Sequence, residues 1–159
     1  MTKAKSIGAI AVAVAVLLLG VALVTGRLAH SAPAQLLVGD AVVRLAVVPG
    51  RPSDGYFTVN GGAKADRLLG VDSPVARIEM HQSMMANGAM RMAALKMVDV
   101  PAGARVVFSP GGKHLMLFGL PAATKAGDEL TLIFTFEKAG AVPVTAIARS
   151  ATDAPHAHP

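Results

Sequence analysis

Apart from the initiator, every methionine of this chain lies between residues 80 and 116: Met80, Met84, Met85, Met90, Met92, Met97 and Met116. The same window holds His81 and His114, whereas His30, His156 and His158 sit towards the two ends. Methionine that merely fills a core is spread through it, because an unbranched thioether suits irregular gaps anywhere. A cluster points instead to the sulfur itself. Thioether sulfur is a soft, neutral donor and imidazole a borderline one. Together they favour Cu(I) over hard ions, and over zinc, which prefers thiolate, imidazole and carboxylate. Neutral donors also hold an ion without the permanence of a thiolate cage, which suits an ion meant to be handed on. The chain has no cysteine. That excludes disulfides, thiolate metal sites, a cysteine nucleophile and a blue-copper centre, and it removes the residue on which the usual bacterial lipoprotein anchor is built.

Strand parity narrows the donors. Residues i and i+2 of a strand share a face. In Lys113-His114-Leu115-Met116-Leu117, His114 and Met116 point one way, and Leu115 and Leu117 point towards a core. In Arg77-Ile78-Glu79-Met80-His81, Ile78 and Met80 share the apolar face, so Met80 reads as core and His81 faces away. Met90 and Met92 share a face, which lets Met90 line a site beside Met92.

The elements that must position these residues are strands. From residue 36 onward, short runs rich in Val, Ile, Leu, Phe and Thr alternate with Gly, Pro and Asp punctuation, and no helical period lasts three turns. The pattern predicts strands at 41–48, 55–60, 66–71, 75–81, 90–99, 104–108, 113–118, 129–137 and 142–148, as expected of an all-β sandwich or barrel. Asn87-Gly88 is among the breaks. The expected organisation is residues 1–34 as an export or anchor segment, 35–149 as one folded domain and 150–159 as a polar tail.

Ile7 to Val24 carries no charge and follows Lys3 and Lys5. This is the basic-then-apolar pattern of an export signal. Its 18 residues would span roughly 27 Å as a helix, close to a bilayer core. A signal peptide cleaved near residues 29–34 and an uncleaved membrane anchor both fit; either places the domain outside the cytoplasmic membrane. After residue 31, 12 basic and 10 acidic residues remain, scattered, for a net charge of +2. With six aromatic residues not interleaved among basic clusters, no footprint for nucleic acid is present.

His81, ten intervening residues, Met92, twenty-one more and then His114-x-Met116 resembles the copper-site motif of the periplasmic PCu(A)C copper chaperones. A chance four-point match of these residue types over the chain is about 3 in ten thousand. Tyr56-Phe57-Thr58-Val59-Asn60, Gly88-Ala89-Met90-Arg91-Met92 and Gly111-Gly112-Lys113-His114-Leu115-Met116-Leu117 carry the resemblance further, over about residues 40–148. It implies a cupredoxin-like Greek-key β-sandwich and an exposed site in which His81, Met92, His114 and Met116 bind one Cu(I). It also implies a carrier, not an enzyme, that supplies the binuclear copper centre of cytochrome c oxidase, alone or with a Sco-type thiol protein. Copper sequestration and, further off, copper electron transfer are the alternative functions. The long apolar N-terminus departs from a freely diffusing shuttle.

Met85 and Met90 are candidate accessory donors, with Met84 and Met85 otherwise reading as a soft rim or as packing, and Met97 as filler. His156 and His158 form a His-x-His in the tail: either inert solvated residues or a weaker site for Cu(II), which imidazole tolerates. Gly61-Gly62 and Gly111-Gly112 read as turn glycines, without a phosphate-binding fingerprint.

Overall fold

The computed structural model describes residues 35–153, and every regular element in that span is a strand. The expected N-terminal apolar helix and the His156/His158 tail lie outside the described residues. In chain order the strands are β1 (Leu37–Arg44), β2 (Ser53–Asn60), β3 (Asp66–Asp72), β4 (Arg77–Ala86), β5 (Ala89–Ala94), β6 (Val98–Val100), β7 (Arg105–Phe108), β8 (Lys113–Phe118), β9 (Glu129–Phe136) and β10 (Gly140–Arg149).

Three of the expected strands differ. The first runs over 37–44 instead of 41–48, and Val47 and Val48 are exposed. Apolar composition suggested a strand there, but pairing decides: β1 is held by β2 from Leu37 to Arg44 and by β10 from Val42 to Arg44. The Leu45 N–H still reaches the Arg149 carbonyl, and the Ala46 N–H turns to the Ser53 hydroxyl. The one expected at 75–81 runs over 77–86, because β5 pairs with it as far as Ala86, so Met84 and Met85 lie on a strand and not in a loop. The expected strand at 90–99 is two. β5 pairs with β4, whereas β6 pairs with β3, and Leu95-Lys96-Met97 carries the chain between them.

The strands are hydrogen-bonded in the order β5-β4-β8-β2-β1-β10-β9-β3-β6, with β7 also on β2. All these pairs are antiparallel except β1 with β10. This path curls over one core. Phe57 of β2 stacks on Phe108 of β7 with ring centroids 4.1 Å apart and meets Phe134 of β9 edge-on at 4.7 Å, although β1 and β10 separate β2 from β9 in the hydrogen-bonded order. Strand periodicity supplies that core: along β9, Leu130, Leu132, Phe134 and Phe136 are buried and their neighbours are not. Each such side chain contributes about 1.5–3 kcal/mol on burial.

The same periodicity fixes the metal-binding candidates. Leu115 and Leu117 drive β8 into the core, at 0% and 1% exposure, so His114 and Met116 must take its other face. β2 lies beside it in the sheet: a Cβ on Gly55 would sit 3.0 Å from Leu115 Cβ, so glycine at that rung leaves room for the leucine. Met80 plays for β4 the part that the two leucines play for β8. The β4–β5 hairpin closes on Asn87 and Gly88, whose φ of 53° and 75° match the two-residue turn that Asn-Gly prefers, and this locks the hairpin register.

Candidate metal centre

Directly opposed residues of an antiparallel pair share a face. Across β4 and β8, His81 opposes His114 and Glu79 opposes Met116. Across β4 and β5, His81 opposes Ala94 and Ser83 opposes Met92. The face of β5-β4-β8 turned away from the core therefore carries His81, His114, Met116 and Met92 together. The two imidazoles are neighbours, with ring centroids 6.1 Å apart. Met116 follows His114 two residues along β8, and Met92 lies diagonally from His81, one same-face rung further along the hairpin. Met92 is largely exposed, Met116 half-buried, and His114 buried at 6% exposure, so the group is open on one side and walled on the other.

Hydrogen bonds decide which lone pairs are free. The Gly112 carbonyl can only accept, so the His114 Nδ1 lying 3.0 Å from it carries the proton, and Nε2 keeps its lone pair. The same carbonyl takes the Ser83 N–H at 3.0 Å, tying the turn before β8 to β4. That turn depends on Gly111, at φ 78°. On the other ring, His81 Nε2 lies 3.0 Å from the Glu79 carboxylate, which holds the proton on that nitrogen. Among the described residues Nδ1 is left buried without a hydrogen-bond partner. Glu79 is in turn ion-paired to Arg77, whose guanidinium stacks 4.2 Å over the Phe118 ring. The hydrogen bond to His81 and then the one to Arg77 hold the Glu79 carboxyl below its ordinary value, so it stays an acceptor.

An orphaned imidazole lone pair beside thioethers fits a soft metal ion, because both donor types are neutral and neither imidazole need lose a proton. Among the described residues no group of three or more His, Cys, Asp or Glu gathers, so a site of that composition is absent there. Met90 shares the face of Met92 and opposes Met85 at the outer end of the hairpin. Met80 is core, as its parity implied, and Met84 faces away from the imidazoles, opposite Arg91. Met97, outside the strands, is exposed. Sequence reasoning passed over Glu79 and the Gly112 carbonyl. The signal for Glu79 was its place two residues before His81 on a strand; for Gly112 no side chain exists to give one.

These features define a class: an all-β domain that presents imidazole and thioether donors on one open sheet face. The chain belongs to the LpqE-like family, a PCuAC family, whose model, described as "Putative lipoprotein LpqE-like", matches residues 36–148. The "Putative lipoprotein Lxx21020" of Leifsonia xyli subsp. xyli is 32% identical over 87 residues, covering 54% of this chain and 52% of that protein. The chain spans about half the length of the curated relatives it matches. Among solved structures, the PCuAC domain of PmoF2 aligns in its apo form with a TM-score of 0.63 and 26% identity, covering 77% of this chain and 95% of that domain. Its copper-bound form aligns at 0.61 and 23%, over 73% and 93%. The solution structure of "CuI-DR1885" from Deinococcus radiodurans aligns at 0.55 and 23%, over 76% and 81%.

Proposed function

We propose that this protein is an extracytoplasmic copper(I) carrier that holds one Cu(I) through His81, Met92, His114 and Met116 and passes it on. One observation carries the reading: the cross-strand His81–His114 pair, with Met116 beside it and Met92 on the adjoining rung of the same open face. Family membership and the copper-bound relatives of the same fold add support, as does the lipoprotein name of a relative for an envelope location. We read the curled strand path as a cupredoxin-like Greek-key β-sandwich over residues 35–149, with the segment before it as signal or anchor.

Neutral donors explain why the site would carry copper rather than keep it. Ligands leave one at a time, and a partner's donor enters on the open side where Met92 sits. A receiving subunit of cytochrome c oxidase, or a Sco-type protein on the way to it, is the proposed destination. The His156/His158 pair would add a weaker Cu(II) site.

The test is anaerobic competition for Cu(I) against a chromophoric chelator. One equivalent should bind tightly, and H114A/M116L should abolish that binding. Unchanged affinity in the double variant overturns the reading. Deletion of the gene separates delivery from sequestration: an oxidase defect repaired by added copper marks delivery, and copper sensitivity without an oxidase defect marks sequestration.

A further inference from the structure

The β4–β5 hairpin carries more sulfur than the four-donor site uses. Its register is Met85 opposite Met90, Ser83 opposite Met92 and His81 opposite Ala94, all on one face. The alternate rungs, Met84 with Arg91 and Gln82 with Ala93, point the other way. Met85, Met90 and Met92 are 66%, 62% and 54% exposed, against 5% for Met80 in the core. Three thioethers thus crowd one solvent-facing patch without contributing to packing.

We propose that Met85, Met90 and Met92 form a second, outer site for a monovalent soft cation, which receives Cu(I) at the hairpin tip and shares Met92 with the inner group; the relay role rests on the inner reading, but the outer site stands without it.

Geometry favours convergence. Directly opposed Cβ atoms lie about 4.5–5.5 Å apart, and diagonal neighbours are still within reach of long side chains. Methionine has three rotatable bonds with which to turn its sulfur inward. The Asn87-Gly88 turn pins the register, so the three side chains stay on one face. The donor set is chemically narrow: the only other polar side chain between these rungs is the Ser83 hydroxyl, which leaves hard ions and zinc without their preferred ligands. Arg91 keeps its positive charge on the opposite face. β5 is the end strand of the sheet and all six of its residues are exposed, so an ion arriving from solvent meets this patch before the walled imidazoles.

Passage inward is ligand exchange. Met85 and Met90 leave the ion, Met92 stays, and the free imidazole lone pairs and Met116 take the vacated positions. The ion remains monovalent. Thioethers release no proton and the imidazole nitrogens that bind are already unprotonated, so neither a proton nor an electron must be supplied.

The experiment is an anaerobic titration of the full chain with Ag(I), a redox-inert soft probe, and then with Cu(I), following each methionine ε-methyl and imidazole resonance by NMR. The first equivalent should move Met92, Met116, His81 and His114, and the second should move Met85 and Met90. M85L/M90L, which keeps the apolar bulk of two exposed side chains, should lose the second equivalent and retain the first. In H114A/M116L the first equivalent should move Met85, Met90 and Met92. If the Met85 and Met90 methyls stay still through two equivalents while His114 and Met116 respond, the outer site is overturned and the inner one stands. If Met85 and Met90 respond but the imidazoles never do, the outer site stands and the inner reading fails. If nothing responds, both fail.

Discussion

At the residue scale, Glu79 orients one of the proposed donors without being one itself. Its carboxylate fixes the proton on His81 Nε2 and leaves Nδ1 with a lone pair that has no hydrogen-bond partner among the described residues. Carboxylates that orient a metal-binding imidazole typically account for about 10–100-fold in metal affinity. E79A should therefore weaken Cu(I) binding by about one to two orders of magnitude with the fold intact. E79Q, which keeps an acceptor but not the charge, should fall between. Chelator competition beside an amide NMR spectrum checks both; equal affinity for E79A and wild type would reduce Glu79 to a surface ion pair. Parity assigned His81, His114 and Met116 to faces from sequence. The Glu79 contact was hidden because a strand's i, i+2 relation allows such a bond but does not select the rotamer that makes it.

At the element scale, Asp66 shows how a strand end is secured. Its Oδ1 accepts the N–H groups of Arg67 and Lys138 at 2.7 and 2.9 Å, and Oδ2 accepts that of Ala139 at 2.9 Å, so β3 is clipped to the turn between β9 and β10. Slight burial pushes the Asp66 carboxyl upward, but the three backbone donors together with Lys138 outweigh it and hold the group below its ordinary value of 3.8. A carboxylate with a lowered folded pKa contributes stability that is complete above the unfolded value and is lost as pH falls through the folded one. D66A should thus cost about 1–2 kcal/mol near neutral pH, read as a lower urea midpoint. The gap between D66A and wild type should close as the pH is taken below 3.8. A gap that persists in acid would mean that Asp66 acts through something other than its charge. The hairpin around Asn87-Gly88 was legible locally because a two-residue turn needs only its own φ angles. The placement of β1 was not, since the apolar run through Val47 and Val48 extends past its partners.

At the scale of the whole molecule, the metal-binding candidates and the core are opposite faces of the same strands. Phe134, fully buried against Phe57, belongs to the core alone. F134A should cost about 3–5 kcal/mol through lost burial and the cavity it leaves. Cu(I) binding to the folded fraction should be unaffected, as thermal unfolding with and without one equivalent of Cu(I) will reveal. A Tm rise on loading that is the same in F134A and wild type fits this separation; loss of Cu(I) affinity in folded F134A would contradict it. The chain's composition and order were enough to determine the strand-rich character of the domain, the gathering of its methionines in one window and which side chains there turn from the core, because side-chain type and two-residue periodicity are local properties. Which strands become neighbours is not local. The pairing of His81 with His114 joins segments 33 residues apart and exists because Leu115, Leu117 and Met80 bury themselves in one common core. The tertiary fold alone made that choice, since non-local pairing is settled by how all the apolar faces pack at once.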